Sequence, residues 1–367
     1  MKESSLPADY VDGSAGMSRR HVLSAGMGLA AVGAVAAVGA SVAEAAVGAD
    51  RVDAGRFDDP SRIISAGPIT LSARGRPAPL EVRVTAPATG RRLPVILFAH
   101  GHGQVNFLNS YLGYGPIVDF LSSHGFVVIQ PTFLDATALG LRDADDPDAP
   151  LYARARAEDM SRVLDQLDVI ERAVPHLAGR LARDKIAAVG HSLGGHTAAL
   201  LLGMQYDDPS QGGRKVSLAD RRIRAGVVIA GPGRGGDALR DGVAELYPAL
   251  NAPDFSTMRT PALVVAGDRD LSTAFTDLGA SWRMDAYFLA PAPKSLLTVF
   301  DGEHQLGGIC GYDSVLTTDE NPQRVAAVGR LTSAYLRTAF NRTDPAWQQA
   351  RDALTTGANA IGQVDSK

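Results

Sequence analysis

The sequence contains a single cysteine, Cys310, among its 367 residues. One thiol cannot form a disulfide within the chain, so no covalent cross-link can stabilise the fold. We expect Cys310 to be buried, and the alternative is pairing with a cysteine of another molecule. The composition, with 45% hydrophobic and 21% charged residues, is that of an ordinary globular protein with a large core.

An excess of either charge is also absent, because 36 lysine and arginine residues are balanced by 40 aspartate and glutamate residues, for a net charge of −4. This balance argues against nucleic acid as a partner and leaves no polybasic patch for a membrane surface. No internal repeat is evident. His100 and His102 are two residues apart, as metal ligands can be, but no cysteine or carboxylate cluster completes a site. We therefore predict no metal and no cofactor.

Residues 1–45 are predicted to be a twin-arginine signal peptide. Arg19 and Arg20 precede about 20 uncharged residues rich in alanine and glycine, and Ala43-Glu44-Ala45 offers a cleavage site. The stretch is long enough to be a membrane anchor instead, but it is weakly apolar for a span. We predict a secreted or periplasmic protein with no stable membrane span after processing. Residues 46–60, which are small and polar, are predicted to be a linker.

Buried strands and helices alternate from residue 61 onwards. Residues 63–72 and 80–86 are predicted to form two antiparallel strands, and an amphipathic helix is predicted over 152–174. Further helices are expected near 114–124 and 323–340. Short apolar runs predict buried strands at 94–99, 126–130, 185–189, 226–230, 262–266 and 295–300. Such alternation indicates an α/β fold, with a doubly wound, mostly parallel sheet and helices on both faces. Functional groups then lie at the carboxyl ends of the strands.

The sharpest motif is Gly190-His191-Ser192-Leu193-Gly194, between a predicted strand and a predicted helix. This context places Ser192 on a tight turn that lifts its hydroxyl clear of the sheet and directs a helix N-terminus towards it. The flanking positions of such a turn must be small, as Gly190 and Gly194 are. The adjacent His191, and His196 on the following helix, each have a structural interpretation as packed side chains. Ser192 is therefore the predicted nucleophile.

A serine nucleophile needs an imidazole base and a carboxylate that orients the base. His304 is the best candidate for the base, because it lies in a turn-rich loop just after the strand at 295–300. The loop after the strand at 262–266 offers two carboxylates, of which we prefer Asp270 to Asp268. Asp237 is a more distant alternative. The backbone N–H of Leu193 is expected to bind the oxyanion of the tetrahedral intermediate.

The order Ser, Asp, His along the chain is that of α/β-hydrolases. Residues 190–198 are similar to the nucleophile turns of the branch that contains dienelactone hydrolases, chlorophyllases and platelet-activating-factor acetylhydrolases, and the resemblance covers residues 62–341. It implies an α/β-hydrolase catalytic domain over 61–367 and a serine esterase that forms an acyl-enzyme. It also implies that His102, with Gly103 as alternate, supplies the second oxyanion N–H. The excursions at 204–224 and 231–260 are too short for a large cap domain.

The expected partner is a small-molecule or lipid-like ester, and the oligomeric state is left open. A cutinase-like polyester hydrolase is an alternative, but its aromatic wall is replaced by Gly231-Pro232-Gly233 and its disulfide cannot form. A second alternative is an acyltransferase, in which the acyl-enzyme reacts with an alcohol. A third is a binding protein that retains the fold without catalysis, although all three predicted triad positions are present.

Overall fold

A central β-sheet organises the part of the chain that the structure describes. The computed structural model describes residues 60–312, 314–355 and 360–367. Strands within these ranges are β1 (Ile63–Leu71), β2 (Leu80–Pro87), β3 (Leu93–Ala99), β4 (Val127–Pro131), β5 (Leu181–His191), β6 (Gln205–Asp208), β7 (Arg214–Ser217), β8 (Ile223–Ile229), β9 (Ala262–Gly267), β10 (Lys294–Val299) and β11 (Gly362–Ser366). Every strand predicted from the sequence is present.

The described residues form a nine-stranded sheet with the order β1-β2-β4-β3-β5-β8-β9-β10-β11. The six inner strands from β4 to β10 in this order pair in parallel. The outer strands pair antiparallel: β1 pairs with β2, β2 with β4, and β11 with β10. This arrangement confirms the predicted fold class. The carboxyl ends of β3, β5, β9 and β10 therefore lie along one edge of the sheet.

Helices cover both faces of this sheet. The α-helices of the described residues are α1 (Gly115–Ser123), α2 (Ala153–Asp165), α3 (Leu167–Ala173), α4 (Leu193–Leu201), α5 (Val243–Leu246), α6 (Asp285–Phe288), α7 (Pro322–Phe340) and α8 (Ala346–Thr355). Alternate residues of each strand point to opposite faces. On one face, Val95 and Ile186 belong to the same apolar cluster as residues of α2, α3 and α4. On the other, Ile96 and Val189 pack with α1 and α7. The core consequently has two layers, one on either side of the sheet.

Several features depart from the predictions. The predicted helix over 152–174 is divided into α2 and α3, because Gln166 leaves helical conformation with a φ of −118°. Its side-chain amide instead pairs with the backbone N–H and C=O of Ser72, at 2.8 Å each. Nothing in the sequence pattern indicated α8 and β11, nor β6 and β7, which pair as a small hairpin within the excursion at 204–224.

Cys310 is free and buried, as predicted. The predicted signal peptide and the linker up to residue 59 lie outside the described residues. Among the residues that are described, no helix is both long enough and apolar enough to cross a membrane.

Candidate active site

Ser192 lies at the junction of β5 and α4, in a strained backbone conformation with φ 57° and ψ −123°. A non-glycine residue rarely adopts a positive φ, and such strain persists only where its surroundings enforce it. Two close approaches of the backbone flank this residue. A Cβ atom at Gly190 would lie 2.0 Å from the Gly194 carbonyl oxygen, and one at Gly194 would lie 2.0 Å from the Ala99 carbonyl oxygen. Both positions therefore require glycine.

The structure brings together the three side chains that the sequence pointed to. The Ser192 Oγ atom lies 3.0 Å from His304 Nε2, and His304 Nδ1 lies 2.6 Å from Asp270 Oδ2. An ionised carboxylate can only accept hydrogen bonds, so Nδ1 carries the ring proton and Nε2 presents a lone pair to the serine hydroxyl. The arrangement can accept a proton from Ser192.

Asp270 is almost fully buried, and it is surrounded by two residues to which the sequence did not point. Arg283 Nε lies 3.1 Å from Asp270 Oδ2, and the Ser272 hydroxyl donates to Oδ1 at 2.8 Å. Burial by itself would raise the pKa of Asp270, but Arg283 and His304 together hold that pKa well below its ordinary value. The carboxylate therefore stays ionised beside the imidazole. No sequence signal marks Arg283, because it reaches Asp270 from a separate turn.

The two alternative carboxylates have different surroundings. Asp268 and Asp237 are both exposed, and neither forms a hydrogen bond with His304. Asp268 lies only two residues from Asp270, but it is exposed to solvent beyond the end of β9. Of the three carboxylates considered, only Asp270 contacts the imidazole.

The loop after β3 lies directly against the nucleophile. A Cβ atom at Gly101 would be 3.2 Å from Ser192 Cβ. The Gly101 carbonyl accepts hydrogen bonds from His100 Nδ1 at 2.8 Å and from Asn109 Nδ2 at 2.9 Å. In a trans peptide the C=O and the following N–H point in opposite directions. Fixing the Gly101 carbonyl therefore also fixes the direction of the His102 N–H. Among the described residues, neither this N–H nor that of Leu193 has an acceptor.

A buried ion pair supports the same loop. Arg156 and Asp135 form a salt bridge in which neither side chain is exposed, and Arg156 also donates to the His100 carbonyl and to Thr197. The other Asp135 oxygen lies 2.9 Å from Nδ1 of the His102 ring. Burial would raise the pKa of Asp135, but Arg156 and the histidines lower it below its ordinary value. These contacts hold the loop rigidly over the end of the sheet.

His100 and His102 are thus engaged in hydrogen bonds within the protein. Besides its bond to Gly101, His100 accepts one from the Phe133 N–H at 3.2 Å. Burial, reinforced by Arg156, lowers the pKa of His100 to about 3, so its ring is neutral. Within ranges 60–312, 314–355 and 360–367, no group of three or more His, Cys, Asp or Glu side chains is arranged to hold a metal ion.

One wall of the site is apolar. Leu193, beside the nucleophile, packs in a small cluster with Leu151 and Leu250, against which Tyr247 and Phe275 are packed. Tyr247 and Leu250 come from the excursion at 231–260. That excursion contains only α5 and short turns. The excursion at 204–224 forms the β6–β7 hairpin.

Comparison with known proteins agrees with this fold. A family model described as Chlorophyllase matches residues 55–210. The platelet-activating factor acetylhydrolase of Bos taurus is 28% identical over 177 residues, which are 38% of this chain and 35% of that protein. That of Canis lupus familiaris is 27% identical over 189 residues, 40% of this chain and 38% of that protein. That of Cavia porcellus is 26% identical over 174 residues, with shares of 38% and 35%.

The chain thus spans little more than a third of the length of these relatives. The residues that the family model matches include β3, β5 and the turn that carries Ser192, but they end before β9 and β10. The similarity supports an α/β-hydrolase fold of the serine esterase branch. It does not extend, in the family model, to Asp270 and His304.

Proposed function

We propose that this α/β-hydrolase-fold chain, similar to chlorophyllases and platelet-activating factor acetylhydrolases, is a serine hydrolase of carboxylic esters. The observation that carries the proposal is the row of contacts from Asp270 through His304 to Ser192, on a strained turn between β5 and α4. A nucleophile, a base and an orienting carboxylate in this geometry perform acyl transfer on several unrelated folds.

In the first half of the reaction, the ester carbonyl lies beside Ser192. The Ser192 hydroxyl oxygen attacks the carbonyl carbon while His304 Nε2 accepts the hydroxyl proton. The electron pair moves to the carbonyl oxygen, which receives hydrogen bonds from the N–H groups of Leu193 and His102. Collapse of this intermediate breaks the bond to the leaving alcohol, which takes the proton from Nε2. An acyl-enzyme on Ser192 remains.

Water then repeats the sequence in the second half. His304 accepts a proton from the water as it attacks the acyl carbon, and Ser192 leaves with that proton when the acid is released. Asp270 stays ionised throughout and stabilises the imidazolium that forms in each half. Arg283 contributes by lowering the pKa of Asp270.

The proposed substrates are small or lipid-like esters. The apolar cluster around Leu193 offers a surface for an acyl or alkyl chain, and short excursions leave the site partly open. Platelet-activating factor, the substrate in the names of the three relatives, belongs to this class. We also propose export through the twin-arginine pattern at Arg19 and Arg20, with cleavage near Ala45.

Hydrolysis of p-nitrophenyl esters from acetate to palmitate tests the proposal, using leaderless protein and its Ser192→Ala variant. We expect kcat to fall by roughly 10⁴- to 10⁶-fold in the variant while the fold is retained. A fluorophosphonate should label the unmodified protein only. A folded protein that neither cleaves these esters nor reacts with the phosphonate would contradict the assignment.

A further inference from the structure

A chain of buried hydrogen bonds joins the loop after β3 to the loop that carries His304. The Gly101 N–H donates to the Tyr114 hydroxyl at 2.9 Å, and that hydroxyl lies 2.9 Å from His191 Nδ1. His191 Nε2 lies 2.8 Å from the backbone carbonyl oxygen of His304. Tyr114 is 3% exposed and His191 1% exposed, so water does not compete for the two bonds of the Tyr114 hydroxyl, and the bond to the His304 carbonyl is partly buried.

The direction of every bond in this chain is determined by its two ends. A carbonyl can only accept a hydrogen bond, so His191 Nε2 carries the ring proton and donates a hydrogen bond to the backbone carbonyl of His304. Nδ1 of the same ring is then an acceptor. The Gly101 N–H can only donate, so the Tyr114 oxygen accepts a hydrogen bond from it. The Tyr114 O–H in turn donates a hydrogen bond to Nδ1 of His191. Every donor and acceptor in the chain is satisfied in one arrangement.

His191 remains neutral in this arrangement. Burial, together with the nearby His304, lowers the pKa of His191 to about 3. The two imidazole rings are close, with centroids 4.8 Å apart. Since both nitrogens of His191 are already hydrogen-bonded, the ring does not accept the proton of Ser192, and its hydrogen bond to His304 is made to the backbone carbonyl.

Both ends of the chain lie next to groups that the proposed mechanism uses. The Gly101 N–H lies one peptide unit before the His102 N–H, which is the proposed oxyanion donor. The Gly101 Cα also lies so close to Tyr114 that a Cβ atom there would be 3.0 Å from the hydroxyl oxygen. At the other end, the bonded carbonyl belongs to His304 itself.

We propose that Tyr114 and His191 are positioning residues that fix the loop of the base relative to the loop of the oxyanion donor. This inference rests on the proposed esterase function. Neither residue touches the reacting atoms. Their contribution is geometric, because a displacement of about 1 Å between catalytic groups can lower a rate about 100-fold.

Tyr114→Phe removes one hydroxyl and keeps the ring. We expect kcat to fall roughly 10- to 100-fold with KM changed by less than about twofold, because the donor to His191 is lost while the substrate surface is intact. Tyr152→Phe is the control, since Tyr152 is also a buried residue and its hydroxyl donates to the Leu141 carbonyl in a partly buried bond outside this chain of hydrogen bonds. It should keep the kcat of the unmodified protein.

Substitutions of His191 separate the hydrogen bond from the volume of the ring. The amide introduced by His191→Gln can still donate to the His304 carbonyl, whereas His191→Met cannot. We expect His191→Met to lose at least about tenfold more kcat than His191→Gln. Equal losses in the two variants, or a loss in Tyr152→Phe as large as that in Tyr114→Phe, would overturn the proposal.

Proton NMR of the His304 Nδ1–H gives a readout that needs no substrate. The resonance is identified by its absence in Asp270→Asn. We expect it to broaden or shift in Tyr114→Phe and to stay unchanged in Tyr152→Phe. An unchanged resonance in Tyr114→Phe would refute the positioning role even if esterase activity is present. Absence of esterase activity from the unmodified protein would instead refute the proposed function, whatever the NMR result.

Discussion

At the scale of single residues, burial distinguishes Asp270 from Asp268. Asp270 is 3% exposed and contacts His304, Arg283 and Ser272, while Asp268 is exposed beyond the end of β9. An ionised carboxylate at His304 Nδ1 selects the ring tautomer whose Nε2 can accept the serine proton. An amide at the same position can donate to Nδ1 and select the wrong tautomer.

We therefore expect Asp270→Asn to lower kcat by about 10⁴-fold, the loss seen when a triad carboxylate becomes an amide with its geometry intact. Asp268→Asn is the matched control and should change kcat by less than about twofold. Kinetics on p-nitrophenyl butyrate, with circular dichroism to check folding, measures both. A larger loss in the Asp268 variant would move the role of the acid to that residue.

A second prediction at this scale concerns Arg283 and its effect on stability and kcat. Its guanidinium is 5% exposed and provides a positive charge beside buried Asp270. Arg283→Met leaves that carboxylate buried without its arginine partner, which raises its pKa. Breaking a buried pair from one side costs about 3 kcal/mol. Urea denaturation at neutral pH should show this loss relative to the unmodified protein, together with a reduced kcat.

The matched variant is Arg283→Lys, which keeps the positive charge but not the planar fork of donors. It should recover part of both losses. A methionine variant as stable as the unmodified protein would mean that Arg283 does not stabilise Asp270.

The sequence predicted Ser192, His304 and Asp270 because each lies just after a predicted strand, and the ends of parallel strands meet. It did not point to Arg283, Tyr114 or Arg156. Each of these three reaches the site from an element whose local pattern carries no chemical signal, and only the packed fold determines where their long side chains end. The catalytic roles of the predicted residues remain a prediction until they are tested.

At the scale of elements, the turn between β5 and α4 depends on backbone contacts that leave no space for a side chain. Gly194→Ala places a Cβ atom 2.0 Å from the Ala99 carbonyl oxygen, in the neighbouring strand β3. Neither partner is a flexible side-chain end, so strands or helix must shift. We expect a loss of about 3 kcal/mol or more in unfolding free energy.

Gly115→Ala is the control for this prediction. Gly115 begins α1 without a positive φ, and a Cβ atom added there would have no neighbour within 4 Å. Here alanine should leave stability unchanged or raise it by about 0.4–1 kcal/mol. Thermal unfolding followed by circular dichroism compares the two variants, and similar melting temperatures would contradict the crowding argument.

Elements with a strong apolar pattern were predictable, and those without one were not. The parallel strands are runs of buried apolar residues, which the sequence displays directly. The break at Gln166 was not visible, because the amphipathic pattern continues through it and the competing bond is made to Ser72, far away in the chain. The strand β11 was missed for a similar reason, as Gly362–Ser366 is polar and pairs only along the sheet edge.

At the scale of the whole molecule, buried neutral histidines make folding sensitive to acid. Burial lowers the pKa of His196 to about 4, and that of His100 and His191 to about 3. In the unfolded chain a histidine has a pKa of about 6.5, the value found in free peptides. Below that pH the unfolded state therefore binds protons that the folded state does not. Each such group contributes full stability above the unfolded pKa and loses it as the pH falls.

His196 allows a clean test because its ring makes no side-chain hydrogen bond in the described residues. Between about pH 6.5 and 4 its contribution should decline by about 1.4 kcal/mol per pH unit, or about 3 kcal/mol in total. His196→Leu should reduce the pH slope of unfolding free energy by that amount. His176→Leu, at an exposed position, should leave the slope unchanged. Urea denaturation across this pH range measures both slopes, and equal slopes would disprove the assignment.

The overall architecture was predictable because alternating buried strands and helices allow few arrangements other than a doubly wound sheet. The predicted export depends on residues outside the described ranges, so it remains a prediction. Substrate identity was not predictable, since it depends on how Leu193, Leu250 and Tyr247 pack together. Those contacts join residues that are far apart in the chain.

The sheet order has a consequence for how the site comes into being. Strand β5 pairs with β3 and β8 rather than with its neighbours in sequence, and the residues proposed as nucleophile, acid and base follow β5, β9 and β10. Such non-local pairings form slowly, because distant segments must meet before any contact stabilises them. The proposed site is therefore complete only once β3, β5, β9 and β10 have all joined the sheet, and a chain that has paired only some of these strands lacks at least one of its groups.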